Sequence, residues 1–564
     1  MNNEQQEQDV ATVAADFAAA LMQWRAVLGE EHVRTTDADL DRYARTCSSS
    51  ARRALAVLRP ASRDEVVALV RIARTFKTPL YPLSAGQNWG YGDACPVREG
   101  QVIVDLGRMN RIHTVDGELG YAVIEPGVTQ RQLAEHLAEQ GMPFWCDCTG
   151  SGPNSSLIGN IVERGFGHTP YGNRIQTISG LEVVLGSGEV LETGFGHYAN
   201  ARTTHVYPYG VGPFLDGLFT QSNFGIVTRL GLWLLPIPKS FCPFLVLFKE
   251  DEDLLAALPA LRHLRLTRVL HSVPHIGNDL RALSSDGAFP RNALPERARL
   301  TPELRQQMRQ AAGIGAWAMS GAFYGTRAQV WLHRRLLKQA LRGVHAKVMF
   351  LPPWLLRLGR AAANFCNRLG LLPALDRKIR AAESLAGMHS GRPTGFFLRG
   401  AYWRKQGGWP SDLSDDTDLA GAGVGIMWMA PILPFRAEDL ARLNQEMDTL
   451  FSSHGFDCHV TVNMINERAL AAVYTIDYDA EDAMETARAL ECYEQGVARL
   501  YDLGYPLYRA STRGMSLLSP QGQDTFWQTV EHLKTALDPE GIIAPGRYQP
   551  GIFMGRDGAA RSLG

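Results

Sequence analysis

The chain has 564 residues, too long for one hydrophobic core, so two or more domains are expected. An apolar fraction of 45%, a charged fraction of 20% and a formal net charge of -1 describe an ordinary globular protein and remove the electrostatic case for nucleic-acid binding. No apolar run approaches the ~18 residues that a membrane span needs. The polar start MNNEQQEQDV has no basic-then-apolar leader, and eight cysteines in such a chain make no disulfide framework, so a reducing cytoplasm is expected. Cys146 and Cys148 are too closely spaced for a usual redox or zinc motif, and the thiols read as structural. No metal site is expected.

In chain order, residues 13–33 read as a helix, ALAVLRP as a strand, RDEVVALVRIARTF as a helix with apolar residues at helical spacing, and TPLYPLS as a strand. The loop SAGQNWGYG follows, then the strand GQVIVDL and the helix TQRQLAEHLAEQGM, closed by a glycine. The loop is neither a P-loop, since Asp93 and Ala94 follow Gly92, nor a dinucleotide fingerprint, since Gly86, Gly90 and Gly92 are spaced by four and then two. On its residues alone it is equally well a phosphate cradle or a plain turn. Residues 150–173, GSGPNSSLIGNIVERGFGHTPYGN, form a second loop-rich stretch before the strand pattern ISGLEVVLGSGEVLETG. From about 241 the pattern changes to helices such as PELRQQMRQAAG and RAQVWLHRRLLKQALRG and strands such as GVGIMWMAPIL and ALAAVYTIDYD, marking a second domain. The basic amphipathic stretch 353–382 reads as a packed surface helix pair, with membrane-surface or partner binding as the alternative. The tail LDPEGIIAPGRY is rich in turns and needs something to pack against.

Taken together, SAGQNWGYGDACPVREGQVIVDLGRMNRI, YAVIEPGVT, GNIVERGFGHTPYGN, YPYGVGPFLDGLFTQSNFGIVTRLGLWLLP, YRASTR and LDPEGIIAPGRY resemble, in order, the vanillyl-alcohol oxidase and p-cresol methylhydroxylase family of flavoproteins. The resemblance runs from about residue 40 to 550 and is thin through the middle. It implies an α+β fold of two domains: an FAD-binding domain from 1–240 and 505–564, and a substrate (cap) domain, 241–504, inserted between them. The loop would then face the FAD diphosphate, because glycines let backbone N–H groups approach without a Cβ in the way.

Carried over residue by residue, the resemblance assigns FAD binding to Ser84, Ala85, Gly86, Gln87, Asn88, Gly90 and Gly92, the turn Pro126–Gly127, and Ser155, Ser156, Gly159 and Asn160. Glu163, Gly167, His168, Ile226, Val227 and Arg547 complete that set. It places Tyr91, Tyr508 and Arg509 on the phenol oxygen of a para-substituted aromatic substrate, a small molecule oxidised at its benzylic carbon. The alternative for these three is a structural hydrogen-bond cluster. Asn173 stands where relatives carry an acid near flavin N5, and an amide cannot serve as a carboxylate base for water. That departure motivates a second reading, oxidative decarboxylation or desaturation of a tyrosine-like or phenylpropanoid acid. The segment VNMINERALAAV lacks the linking histidine of the oxidase, so dissociable FAD is expected, with Tyr402 the candidate for a covalent link and His459 a lesser one. Oxygen or a cytochrome would reoxidise the flavin, a homo-oligomer is expected, and the 353–390 insertion would reshape the substrate entrance or an oligomer contact.

Overall fold

The computed structural model describes residues 3–48, 51–294, 299–369, 371, 373–411, 413–518 and 524–550. Helix Arg63–Thr75 shows how the first layer forms. Ser62 accepts the Glu65 N–H as its cap, and Val66, Leu69, Val70 and Ala73 fall on one buried face. The helix crosses between strands Val57–Leu58 and Leu80–Leu83, and both lie parallel to Val102–Asp105. The short strand Val33–Arg34 extends this sheet at its other edge. The first helix spans Asn3–Leu28 and is followed by a single 3-10 turn at Glu30–His32, so the expected helix 13–33 begins earlier and breaks at Gly29, whose φ is +86°.

A five-stranded antiparallel sheet follows, ordered 112–116, 121–124, 225–233, 178–185 and 190–192. The C-terminal tail returns to the first sheet: Leu80 donates to Ile542 O and Ala544 donates to Leu80 O, both at 2.7 Å. Ile542, Ile543 and Ala544 are buried against Val66, Leu69 and Val102.

The third sheet is antiparallel and draws on residues 240–479, ordered 346–350, 240–248, 317–325, 275–278, 459–463, 469–479 and 424–429, with 432–434 on a side branch. Its two faces differ. One carries Phe244, Val246, Ile276, Met319, Val460, Val462, Tyr474, Ile476 and Met427, packed with buried residues of helices Asp251–Leu266, Ala437–Ser453 and Ala483–Asp502. Register fixes the opposite face: His275 lies across from Asn463, His459 across from Thr475, Thr475 across from Trp428, and Asp477 across from Ile426. Since directly opposed residues share a face, His275, Asn463, His459, Thr475, Asp477 and Trp428 form one polar and aromatic surface. The 353–390 segment is an antiparallel helix pair, Pro353–Arg368 and Pro373–Met388, tied by Arg360 to Asp376 (2.7 Å) and to Glu383. Trp354, Leu358 and Phe365 of its first helix are exposed.

Candidate active site

Strand Leu80–Leu83 delivers the chain into the glycine loop. Gly86, Gly90 and Gly92 have φ of +68°, +71° and +119°, so all three adopt backbone that L side chains resist. Asp93 ends the loop and locks it, accepting from Thr46 Oγ1 and the Cys47 N–H at 2.6 Å each. Burial pushes the Asp93 carboxyl up to about 7. Tyr91 is thereby turned inward. Its ring stacks on Trp428 of the polar sheet face, with centroids 6.3 Å apart and planes 20° from parallel. Gly90 makes that stack possible, because a Cβ there would lie 1.7 Å from Trp428 Cδ1.

Tyr508 and Arg509 arrive from a segment joined to both halves. The Tyr508 N–H donates to Ala430 O (3.0 Å), Gln221 Nε2 donates to Tyr508 O (2.8 Å), and the Thr512 N–H donates to Tyr91 O (2.9 Å). The Arg509 guanidinium lies 4.2 Å from the Tyr91 ring centroid, and Tyr91 and Tyr508 perturb one another's ionisation. Tyr91, Tyr508 and Arg509, separated by hundreds of residues in the chain, therefore converge. Burial raises both phenols above their ordinary range, with Arg509 opposing, so both remain neutral O–H donors. A cation flanked by two such donors favours a bound phenolate over a phenol.

Behind Arg509 stands Glu163. It accepts from Tyr548 Oη (2.9 Å), faces Arg509 Nε at 3.3 Å and pairs with Arg547, which also donates to Tyr81 Oη (3.1 Å). Arg509 also donates to Asn88 Oδ1 in the loop. Glu163 thus braces Arg509, a connection that its sequence neighbours did not reveal.

The other assigned residues fall around this point. Ser84 to Asn88 are exposed or half-buried. A Cβ on Gly127 would meet Gly107 O at 2.5 Å, so that glycine is required by close backbone approach, while one on Gly159 would meet the Ser84 Oγ side chain at 2.6 Å. Ser156 donates to Pro126 O (2.6 Å) and caps helix Leu157–Val162, Ser155 donates to Ser151 O (2.8 Å), and Asn160 Oδ1 accepts from Arg174 (3.0 Å). The side chains of Ser155, Ser156 and Asn160 have internal partners, and the Ser155 and Asn160 N–H groups donate to Gly152 O and Ser156 O, both at 3.2 Å. Ile226 is buried in the core of the first sheet and Val227 is half-buried in that of the second. The Asn173 side chain makes no hydrogen bond among the described residues and is half-buried.

His168 stacks on His275 of the polar sheet face, with centroids 3.6 Å apart and planes at 11°, and meets His389 edge-on at 5.3 Å. Burial lowers all three: His275 to about 4, His389 to about 3, and His168 well below the ordinary value, where the other two rings add to the effect. The cluster is neutral. His168 Nδ1 is buried without a partner, an open polar valence beside Gly167. Of the two covalent-link candidates, Tyr402 is buried among Cys47, Trp89 and Ile426, and His459 lies between Trp403 and Asp477, with Nδ1 3.1 Å from Asp477 Oδ2.

An open loop of positive-φ glycines after a parallel strand, and the unpartnered Nδ1 of His168, suit a large phosphate-bearing cofactor. Residues 54–194 match a family model described as an FAD binding domain. The chain is 36% identical to 1'-carboxy-chondrochloren decarboxylase of Chondromyces crocatus over 94% of its own length and 96% of the relative's. It is 30% identical to the 4-cresol dehydrogenase [hydroxylating] flavoprotein subunit of Pseudomonas putida, over 96% and 97% respectively. Among solved structures, substrate-bound p-cresol methylhydroxylase superposes with a TM-score of 0.84 at 28% identity, covering 95% of this chain and 97% of that one. The isoeugenol complex of 4-ethylphenol oxidase from Gulosibacter chungangensis matches with the same TM-score, identity and coverage.

The protein is therefore an FAD-dependent oxidoreductase with the two-part α+β flavoprotein fold expected from its sequence. It belongs to the vanillyl-alcohol oxidase and p-cresol methylhydroxylase family. Among the described residues no helix is long and apolar enough to cross a membrane.

Proposed function

We propose that the protein oxidises a para-substituted phenol, or a related arylalkyl compound, at its benzylic carbon. The convergence of Tyr91, Tyr508 and Arg509 carries this reading. Tyr91 and Tyr508 donate to the substrate's phenol oxygen while Arg509 supplies positive charge, so the oxygen is held as phenolate. Its electron density then passes through the ring to the para carbon and weakens a benzylic C–H bond. Bound FAD would supply the hydride acceptor at N5, and the substrate would be left as a quinone methide. Anchoring the oxygen also fixes the reach of that carbon, which supplies orientation. Ser84 to Asn88, the loop glycines, the Pro126–Gly127 turn, Ser155 to Asn160, Glu163, Gly167, His168 and Arg547 would hold the cofactor. In this reading residues 1–240 and 505–564 bind FAD and 241–504 shape the substrate site.

A second reading rests on Asn173 and on the relative whose name specifies a decarboxylase. With no carboxylate at position 173 to activate water, the quinone methide of a tyrosine-like acid can lose carbon dioxide instead. The pair of electrons from the broken C–C bond forms the alkene and restores the phenolate, so two electrons have left with the hydride. Anaerobic mixing of the yellow holoenzyme with 4-alkylphenols and with 3-(4-hydroxyphenyl)propanoate separates the readings. Benzylic oxidation bleaches the flavin with either, whereas the second also yields an alkene and carbon dioxide from the acid. If neither compound bleaches the flavin, both readings fail. The reduced flavin would pass its electrons to oxygen or a cytochrome in the cytoplasm. Dissociable FAD would leave the pellet on acid precipitation, whereas colour retained wholly in the pellet would favour a link through Tyr402.

A further inference from the structure

Helix Asp279–Asp286 begins on the polar face of the third sheet, anchored by Asn278. That side chain accepts the Arg281 N–H at 3.3 Å and donates to Cys458 O at 2.8 Å. This start places Arg281 beside Trp428, with its guanidinium carbon 5.7 Å from the indole centroid. Arg509, Tyr91, Trp428 and Arg281 thus follow one another at separations of 4.2, 6.3 and 5.7 Å.

The guanidinium of Arg281 has no hydrogen-bond or ion-pair partner among the described residues, and several acids of the third-sheet region are engaged by other groups. Asp279 is taken by Arg305 (2.8 Å), Glu485 by Arg404 (2.6 Å) and Asp479 by Lys405 (3.4 Å). Asp457 accepts the Leu300 N–H at 3.0 Å. Asp477 is the remaining acid. It lies against His459 rather than within ion-pair reach of Arg281, and burial pushes its carboxyl up to about 7 despite Arg281 and Arg404. Burial also holds Arg281 below the ordinary arginine value, yet the residue is only half-buried, so its guanidinium is not sealed in a core. A half-buried guanidinium with no acceptor among the described residues leaves its fork of donors open to an anionic ligand.

We propose that Arg281 binds a carboxylate on the substrate's side chain, so that the physiological substrate is an aromatic acid anchored at both ends, by its phenol oxygen and by its carboxylate. A planar fork suits bidentate capture of a carboxylate, and Trp428 between the two cations covers the ring and linker. The assignment deepens the benzylic-oxidation reading and rests on its placement of the phenol end. It concerns binding, and holds whether or not carbon dioxide is later lost.

The test uses FAD-loaded enzyme, Arg281→Met and Arg281→Lys, with 3-(4-hydroxyphenyl)propanoate and its methyl ester as paired probes. Binding is read from perturbation of the flavin spectrum, and reduction from anaerobic bleaching. The wild type is expected to bind the acid at least ~10-fold more tightly than the ester. Arg281→Met should weaken acid binding about 10- to 100-fold, leave the ester unchanged and retain FAD, and Arg281→Lys should recover part of the loss. Equal affinity for acid and ester in the wild type overturns the proposal, as does equal weakening of both by Arg281→Met. Loss of FAD from Arg281→Met also overturns it, by placing the arginine at the cofactor. Charge-dependent binding without bleaching by either probe would sink benzylic oxidation while supporting the Arg281 assignment. Bleaching by both probes with no preference for charge would do the reverse.

Discussion

Gly90→Ala tests how the phenol end is assembled. A Cβ at this position would lie 1.7 Å from Trp428 Cδ1 and 1.9 Å from Nε1, where real Cβ contacts stay beyond 3.0 Å. The indole must retreat by more than an ångström. Left-handed backbone at φ +71° costs a non-glycine residue about 1–2 kcal/mol, and overpacking adds ~1–3 kcal/mol. Loss of the Tyr91–Trp428 stack adds about 0.5–1.5 kcal/mol, for a total of roughly 2.5–6.5 kcal/mol. Gly100→Ala is the internal control: its φ is +77°, but nothing lies within 4 Å of its Cβ position, so only the backbone penalty of ~1–2 kcal/mol applies. Denaturant unfolding of both variants, with flavin reduction by a 4-alkylphenol, checks the prediction. Gly90→Ala should be the less stable and should lose most of its reduction rate, while Gly100→Ala keeps its rate. Equal stability loss and equal rates would refute the claim that Gly90 exists to admit Trp428.

Two further perturbations follow. Gly167→Ala would set a Cβ 1.7 Å from Asp147 Oδ2 and split the buried Asp147–Arg174 pair, now at 2.7 Å; a loss of about 3–5 kcal/mol is expected, and wild-type stability in urea would contradict it. The neutral histidine cluster gives a pH signature. His389 has a folded pKa of about 3, so between that value and ~6.5 the unfolded chain holds a proton that the native ring lacks, and stability falls as pH falls. Asp93 and Asp477, both near 7, act in the opposite sense, gaining stability as pH falls through that range, so the total profile mixes signs. The readout is therefore the difference between wild type and His389→Gln, which should move in the variant's favour by about 1.4 kcal/mol per pH unit below 6.5. A difference that stays flat from pH 7 to 5 would mean His389 is already protonated in the native state.

Local features of the fold were legible because they are periodic. Val66, Leu69, Val70 and Ala73 announce a helix, and the glycine spacing in SAGQNWGYG separates this loop from a P-loop or dinucleotide turn. Tyr91, Tyr508 and Arg509 could be named from motifs, and they meet. What remained hidden depends on register between distant strands. Within GVGIMWMAPIL nothing marks Trp428 as facing the site, because the face of a strand is set only by its neighbours, here Thr475 and then His459. The same holds for the His168–His275 stack and for Glu163, whose partners Arg509 and Arg547 lie in the distant tail. Arg281 gave no signal either: on an amphipathic helix an arginine reads as a solvated residue, and only the absence of an acceptor around it sets it apart.

In the proposed function, Tyr91, Tyr508 and Arg509 hold the substrate oxygen as phenolate. Difference spectra of the holoenzyme with a para-substituted phenol whose phenolate absorbs in the visible test this directly, titrated against pH in wild type and Arg509→Ala. The wild type should show the bound ligand ionised at least 1–2 pH units below its value in water, as a neighbouring guanidinium produces, and Arg509→Ala should lose that shift while still binding FAD. A ligand that binds the wild type as neutral phenol, with the same ionisation in both proteins, would contradict the account.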